Sequence, residues 1–193
     1  MDILIIVGVV VVLAFVFMMV ALLMLKAFYF KVEQGKALII NGVRKIAVRF
    51  DGGFVWPVIN KKELMRISLI TLEVDRRGKE GLICADNMRA DITVAFYLRV
   101  NETEEDVLKV AKSVGVERAS DKAAVNELFN AKFSEALKTV GKQIDFVKLF
   151  ENRSEFRDSI VQEIGNDLNG YVLEDVAIDY LEQTPKASLD SSN

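Results

Sequence analysis

The sequence predicts an α+β domain attached to a single N-terminal transmembrane helix. Three observations support this prediction. The chain of 193 residues begins with a long apolar run, continues with short strand-like segments over 36–100, and changes to helical periodicity from residue 103. One last strand-like segment follows the helices, and strands followed by helices are typical of an α+β domain.

The apolar run covers residues 3–25 and contains no charged residue, Pro, Asn, Gln or Ser in its 23 positions. A helix of that length rises about 35 Å, enough to cross a hydrocarbon core of about 30 Å. A cleaved signal peptide is the alternative, but it needs a basic start, a shorter apolar core and a small-residue cleavage site. A buried core helix rarely needs an apolar surface on every face. We therefore predict that residues 1–25 form a transmembrane anchor.

Basic residues lie on one side of this anchor only. None precedes it, and five follow within about 20 positions: Lys26, Lys31, Lys36, Arg44 and Lys45. The positive-inside rule therefore predicts an external N-terminus and a cytoplasmic domain. Phe28, Tyr29 and Phe30 follow the anchor directly, where aromatic side chains favour the headgroup layer of the bilayer.

Composition excludes several kinds of chemistry. The chain has no His, which removes His-based nucleophilic catalysis and imidazole metal sites. Its only cysteine, Cys84, cannot form an intrachain disulfide, and its apolar neighbours predict a buried thiol, with a reactive thiol as the alternative. The net charge of −3 gives no support to nucleic-acid binding. With no phosphate-binding glycine motif either, we predict no catalytic site, no cofactor and no metal.

Five strand-like segments precede the helices. The pair 37–40 and 46–50 flanks the turn dipeptide at 41–42. The segment 64–74 changes its alternation between Leu69 and Ile70, which suggests a bulge or the use of both faces of the strand. The pair 82–85 and 88–100 flanks a second turn at 86–87, and its second strand has one clean apolar face. We expect the other face of that strand to be solvated or to meet a neighbour.

Three helices and a closing strand complete the prediction. Thr103 is a suitable N-cap for a first helix that reaches Gly115. Apolar stripes predict longer helices over about 121–140 and 154–168, with glycines at their ends. The alternation over 172–180 predicts the closing strand, and regular structure is expected to end at 182–185.

The segment 52–59 is the local feature with two open interpretations. Two glycines permit a tight backbone, and the residues after them are largely apolar and include Trp56, the only tryptophan of the chain. Packing into the core is one interpretation. The other is a shallow membrane contact, because Trp and Phe suit the membrane interface and the segment follows soon after the anchor.

Four features together resemble the SPFH (band 7) superfamily, which includes stomatins, prohibitins and flotillins. They are the N-terminal span, GGFVWPV at 52–58, ADNMRADITVAFYLRV at 85–100 and LEQTP at 181–185. Within the superfamily the chain is most similar to bacterial flotillin-like inner-membrane proteins. The resemblance covers residues 1–187 and implies an SPFH domain of two α/β subdomains.

The resemblance also implies domain boundaries and membrane contacts. We expect an anchor at 1–25, a first, membrane-proximal subdomain at 26–86 and a second at 87–187. A polar tail at 188–193 would lead into the coiled coil with which such proteins continue. The segment 52–59 would be the membrane-facing loop. The predicted membrane-contact residues are therefore Phe28, Tyr29, Phe30, Phe54, Val55, Trp56, Pro57 and Ile59.

The function implied by this resemblance is that of a scaffold and not of an enzyme. Such a protein would sit in the bacterial inner membrane, form a ring or cage of many copies, and organise a membrane microdomain and its client proteins. Its partners would be the bilayer, other copies of itself and membrane clients. The alternative is a regulatory partner of a membrane protease, as prohibitin-type proteins are, and an enzyme with an unusual site is a third hypothesis.

Overall fold

The computed structural model describes residues 2–42, 45–56, 59–165 and 168–186. Helices and strands are mixed along the chain in the order expected, which confirms the predicted α+β class. The chain divides into two compact units, residues 1–64 and 65–193. The division into SPFH subdomains at residue 86 stays a prediction.

The first unit begins with the long helix α1 (Asp2–Phe28). Its segment Val7–Phe28 is long and apolar enough to cross a membrane, and its side chains are exposed from Val7 to Ala27. Exposing so many large apolar side chains to water is unfavourable, at roughly 25 cal/mol per Å² of apolar surface. The helix therefore has the length, the composition and the exposed surface of a transmembrane segment.

Two small sheets follow α1 in the first unit. Strand β1 (Tyr29–Lys31) pairs antiparallel with β4 (Gly52–Phe54). Strand β2 (Lys36–Asn41) pairs antiparallel with β3 (Ile46–Arg49), as the turn at 41–42 predicts, and β5 (Lys61–Arg66) completes the order β3-β2-β5. A small apolar core of Val32, Leu38, Ile40 and Val55 holds the unit together, with Phe30 packed against it.

The second unit is built around one long central strand. Strand β8 (Arg89–Val100) pairs antiparallel with β6 (Ile70–Arg76), β7 (Leu82–Ile83) and β9 (Tyr171–Gln183). The predicted hairpin at 86–87 is confirmed: Asn87 adopts a positive φ of 60°, and its N–H donates to the carbonyl of Cys84. The strand-like segment 64–74 is divided between two strands, because β5 ends at Arg66 and β6 begins at Ile70, where the alternation changes phase.

The two faces of β8 differ as its sequence predicts. The alternating residues from Ala90 to Val100 are almost fully buried, so the apolar face is core. The opposite face is half-buried, and its Asp91 lies among neighbours. One carboxylate oxygen of Asp91 accepts hydrogen bonds from the Gly78 N–H (2.9 Å) and the Thr184 hydroxyl (2.5 Å). The charged face of β8 therefore meets neighbouring segments and does not simply face water.

The described part of the second unit contains five α-helices and a short 3-10 helix at Gly78–Glu80. Three of the α-helices agree with the prediction: α2 (Glu104–Ser113), α4 (Lys122–Gly141) and α6 (Arg153–Ile164). Two short ones were not predicted: α3 (Val116–Ser120) and α5 (Phe146–Glu151). The predicted N-cap is confirmed, since the Thr103 hydroxyl accepts a hydrogen bond from the Asp106 N–H at 3.1 Å.

The last predicted helix is shorter than its apolar pattern. It was expected to reach residue 168 but ends at Ile164, because Gly165 adopts a positive φ of 72°. Leu168 instead forms an isolated bridge with Tyr171 at the start of β9. Its apolar side chain is buried there and not on a helical face.

An aromatic cluster joins the sheet to α4. The ring of Phe96 on β8 stacks on Phe133, with centroids 4.3 Å apart. Phe133 stacks on Phe129, whose ring meets Tyr171 of β9 edge-on at 5.2 Å. Aromatic pairs at these distances add about 0.5–1.5 kcal/mol each beyond the area they bury. The predicted apolar stripe of α4 is therefore a core stripe, except for Leu128, which is 41% exposed.

Candidate membrane-contact site

The residues that directly follow α1 lie close to the described residues of the segment 52–59, which are 52–56 and Ile59. Four large side chains are at least half exposed there, although they are apolar or aromatic: Tyr29 (50%), Phe54 (50%), Trp56 (55%) and Ile59 (58%). We call these four residues the apolar tip. Single exposed apolar residues are common on proteins, but four in one small unit form a patch that marks a contact surface.

Backbone pairing brings the two parts of the tip together. In the β1–β4 ladder Tyr29 lies opposite Phe54, and their rings meet edge-on with centroids 5.3 Å apart. The N–H of Val55 donates to the carbonyl of Phe28 at 2.9 Å. The Trp56 ring then stacks on Phe28 with centroids 5.2 Å apart and planes 18° apart. The end of α1 and the segment 52–56 therefore form one structure.

Gly52 makes this pairing possible. Its φ is +155°, and a Cβ at this position would lie 2.7 Å from the carbonyl oxygen of Phe30. A side chain would push β4 away from β1, so only glycine permits the close approach of the two strands. The double glycine that the sequence showed before the aromatic residues thus has a structural reason.

The eight predicted contact residues divide into three groups. Tyr29, Phe54, Trp56 and Ile59 are exposed in the tip, while Phe28 and Phe30 are half-buried. Val55 is buried with 7% exposure and belongs to the core of the unit. Pro57 lies outside the described residues. Val55 therefore packs inward, as the core interpretation expects, while Phe54 and Trp56 on either side of it are exposed. Contact of the exposed residues with the membrane stays a prediction.

A short turn presents the far end of the tip. The carbonyl of Trp56 accepts hydrogen bonds from the N–H groups of Ile59 (3.0 Å) and Asn60 (2.8 Å). These bonds hold the Ile59 side chain near the end of α1. The N–H groups of Ile59 and Asn60 are thus paired within the chain, which lowers the cost of placing these two groups in an apolar environment.

The single thiol of the chain is not positioned for chemistry. Cys84 is buried, with 2% exposure, which confirms the predicted buried residue. Burial, together with the nearby carboxylates of Asp86 and Asp145, raises the thiol pKa from 9.0 to about 11. The thiol is therefore protonated near neutral pH, and a protonated thiol is a poor nucleophile. Within the described ranges no three His, Cys, Asp or Glu residues are grouped to hold a metal ion.

These features define a class of protein: an α+β protein whose N-terminal helix could cross a membrane and whose exposed apolar tip adjoins that helix. The chain belongs to the SPFH domain / Band 7 family, whose model matches residues 30–187. This match confirms the family that the sequence resembles and the SPFH fold expected from it.

Two flotillin-family proteins are similar to the chain over most of its length. It is 28% identical over 168 residues to the flotillin family inner membrane protein YqiK of Escherichia coli, covering 86% of this chain and 30% of that protein. It is 24% identical over 184 residues to the flotillin family inner membrane protein sll1021 of Synechocystis, covering 91% and 27%. The chain thus spans about three tenths of the length of these relatives.

Proposed function

We propose that this chain is the membrane-anchored SPFH portion of a flotillin-like scaffold. The scaffold assembles from many copies into a ring or cage and organises a microdomain of the bacterial inner membrane with its client proteins. Family membership and the flotillin relatives support the scaffold class. The apolar tip beside the end of α1 is the observation that carries the proposal, because it offers a second membrane contact next to the anchor.

A transmembrane anchor together with a second membrane contact would fix the orientation of the domain on the bilayer. A single helix holds a domain near the bilayer but leaves it free to tilt and rotate about its linker. In this chain β1 begins at the residue after α1, and Phe28 stacks on Trp56, so anchor and tip are joined without a flexible linker. Each copy would then sit on the bilayer in one orientation. Uniform orientation is the condition for copies to meet through the same surfaces and close into a ring.

The proposed topology has the N-terminus outside and the SPFH domain in the cytoplasm. Its support is the charge asymmetry around α1: the basic residues begin with Lys26 in its last turn and continue after it. Positive residues near the end of a span favour the cytoplasmic side. They also favour the anionic surface of the inner leaflet.

Particle imaging tests the assembly. The protein is extracted from membranes in mild detergent and examined by negative-stain microscopy and mass photometry. Closed particles of many copies are expected, and a strictly monomeric population would refute the scaffold. Phe54→Asp is expected to lower the yield of closed particles, whereas Ile46→Asp, at an exposed position of β3 outside the tip, is expected to leave it unchanged.

Fluorescence quenching tests the membrane contact. Trp56 is the only tryptophan, so the emission of the whole chain reports on the tip. In vesicles of phosphatidylcholine brominated at defined depths, a tip at the interface is quenched most by bromine atoms near the headgroup. Absence of quenching at every depth would show that Trp56 stays in water and would remove the second contact.

A further inference from the structure

We propose that a groove at the end of α1 binds an anionic phospholipid, with Lys62 as the residue that selects its phosphate. This proposal deepens the proposed function, on which it rests, by naming the lipid class that the tip meets. The groove is lined by the side chains of Phe28, Phe30, Val55, Ile59, Lys61 and Lys62, among others, and has a volume of about 630 Å³. Ligand sites commonly measure roughly 300–1,000 Å³.

The lining of the groove has two chemically different parts. Ala27, Phe28, Val55 and Ile59 supply an apolar wall that continues from the surface of α1. Asn60, Lys61 and Lys62 supply polar and cationic groups at the same opening. A phospholipid has the same two parts, an acyl chain and a phosphate diester, joined at a fixed short distance. The groove matches that arrangement better than it matches a purely apolar or a purely anionic ligand.

Lys62 is the distinctive cation of the groove. Its ammonium lies over the ring of Phe30, 4.1 Å from the ring centroid, so an aromatic ring of the lining holds it in place. Among the described residues no carboxylate forms an ion pair with it. The neighbouring Lys61 differs, because its ammonium pairs with the Glu63 carboxylate at 2.7 Å. Lys62 therefore keeps its charge available for an anion that enters the groove.

Charge around the groove agrees with an anionic occupant. The chain as a whole carries −3, yet residues 26–64 contain eight basic and three acidic residues, a net charge of +5. The positive charge is thus concentrated in the part of the first unit that follows the membrane helix. Lys26 in the last turn of α1 also offsets the partial negative charge of the helix C-terminus. A zwitterionic headgroup gains little from this field, and an anionic headgroup gains more.

The test compares two brominated lipids on the full chain in mixed micelles. Trp56 reports binding, because its ring stacks on Phe28, whose side chain lines the groove. Brominated phosphatidylglycerol is expected to quench Trp56 at about fivefold lower mole fraction than brominated phosphatidylcholine, the factor typical of one lysine at an anionic surface. Lys62→Gln is expected to remove most of this preference, leaving only the contribution of the surrounding positive charge, while quenching by phosphatidylcholine stays unchanged.

The control is Lys45→Gln, which removes the same charge from the same unit but does not line the groove. The preference should survive in this variant. Equal loss in both variants would show diffuse surface attraction and overturn the site, as would equal quenching by both lipids in the unaltered chain. Loss of the phosphatidylglycerol preference when free glycerol 3-phosphate is added would show that the groove binds a soluble phosphate ester, and this result would also overturn the lipid site. Absence of quenching by either lipid would refute the membrane contact itself, which is a different failure.

Discussion

Gly141 at the end of α4 allows β7 to pack against that helix, and Gly141→Ala tests this contact. Gly141 is the last residue of α4 and has no positive φ, so space and not backbone conformation explains the glycine. An added Cβ would lie 2.6, 2.7 and 2.8 Å from three side-chain carbons of Leu82. Carbon atoms pack best at about 3.5–4.0 Å, so the overlap is about 1 Å with each of them.

The expected cost follows from that overlap. Leu82 is 1% exposed, so its side chain cannot relieve the overlap by moving into solvent. Overpacking of this kind lowers the free energy of unfolding by about 1–3 kcal/mol. The better helix propensity of alanine offsets at most about 1 kcal/mol of this loss. We therefore expect Gly141→Ala to destabilise the second unit by about 1–2 kcal/mol.

A second substitution makes the prediction specific to the contact. Leu82→Ala alone should cost about 2–5 kcal/mol because it leaves a cavity. In that background Gly141→Ala places its methyl group in the vacated space and should be neutral or stabilising. The coupling energy between the two positions is then about 1–3 kcal/mol. Gly165→Ala serves as control: its cost comes from a φ of +72° with no atom within 4 Å of the added Cβ, so Leu82→Ala should not relieve it.

Urea unfolding of the full chain in detergent micelles, followed by far-ultraviolet circular dichroism, measures these free energies. A shift of the midpoint at constant slope reports a change in stability. If Gly141→Ala lowers the free energy of unfolding equally with Leu82 present and with Leu82→Ala, the clash with Leu82 is not the cause of the loss.

Three further predictions concern the second unit. Thr103→Ala should lower the free energy of unfolding by about 1 kcal/mol through loss of the α2 cap, and an unchanged thermal midpoint would contradict the cap. Because burial raises the pKa of Cys84 from 9.0 to about 11, its contribution to stability is full below pH 9 and is lost as the pH rises towards 11. Maleimide labelling at pH 8 should accordingly be slow until urea is added, and rapid labelling of the folded chain would contradict the burial. Thr184→Val should cost about 1–3 kcal/mol, because it removes the hydroxyl that donates to buried Asp91. Thr184→Ser keeps that hydroxyl and should cost clearly less, and equal unfolding midpoints for the two variants would argue against the hydrogen bond.

Elements with a long periodic pattern could be predicted from the sequence. Strand β8 has 12 residues and helix α4 has 20. Patterns of that length, alternation in β8 and an apolar stripe in α4, are enough to predict a strand and a helix. Strands β1 and β4 have three residues each and form only because residues 29–31 meet residues 52–54. Short elements of this kind depend on tertiary contacts, and local sequence carries little information about them.

The candidate site could be predicted as a segment but not residue by residue. Its aromatic residues and paired glycines, together with its position after α1, identified the segment. Which of its side chains point outward depends on how β4 pairs and how the chain leaves it. Val55 and Trp56 are adjacent just after β4, yet Val55 is buried in the core of the unit and Trp56 is exposed. The position of Lys62 over Phe30 joins residues 32 apart and could not be predicted.

The pairing of β8 with β9 also determines when the second unit can fold. Register partners such as Ala90 and Gln183 are separated by about 90 residues, so one edge of β8 stays unpaired during synthesis until β9 has left the ribosome. By then a membrane-inserted α1 would already be fixed in the bilayer. Folding would thus be completed by a tethered chain, which exposes an open strand edge to other nascent copies on the same membrane. Because pairing between segments so far apart in sequence is slow, the pairing of β9 with β8 is the step at which misassembly would compete with folding.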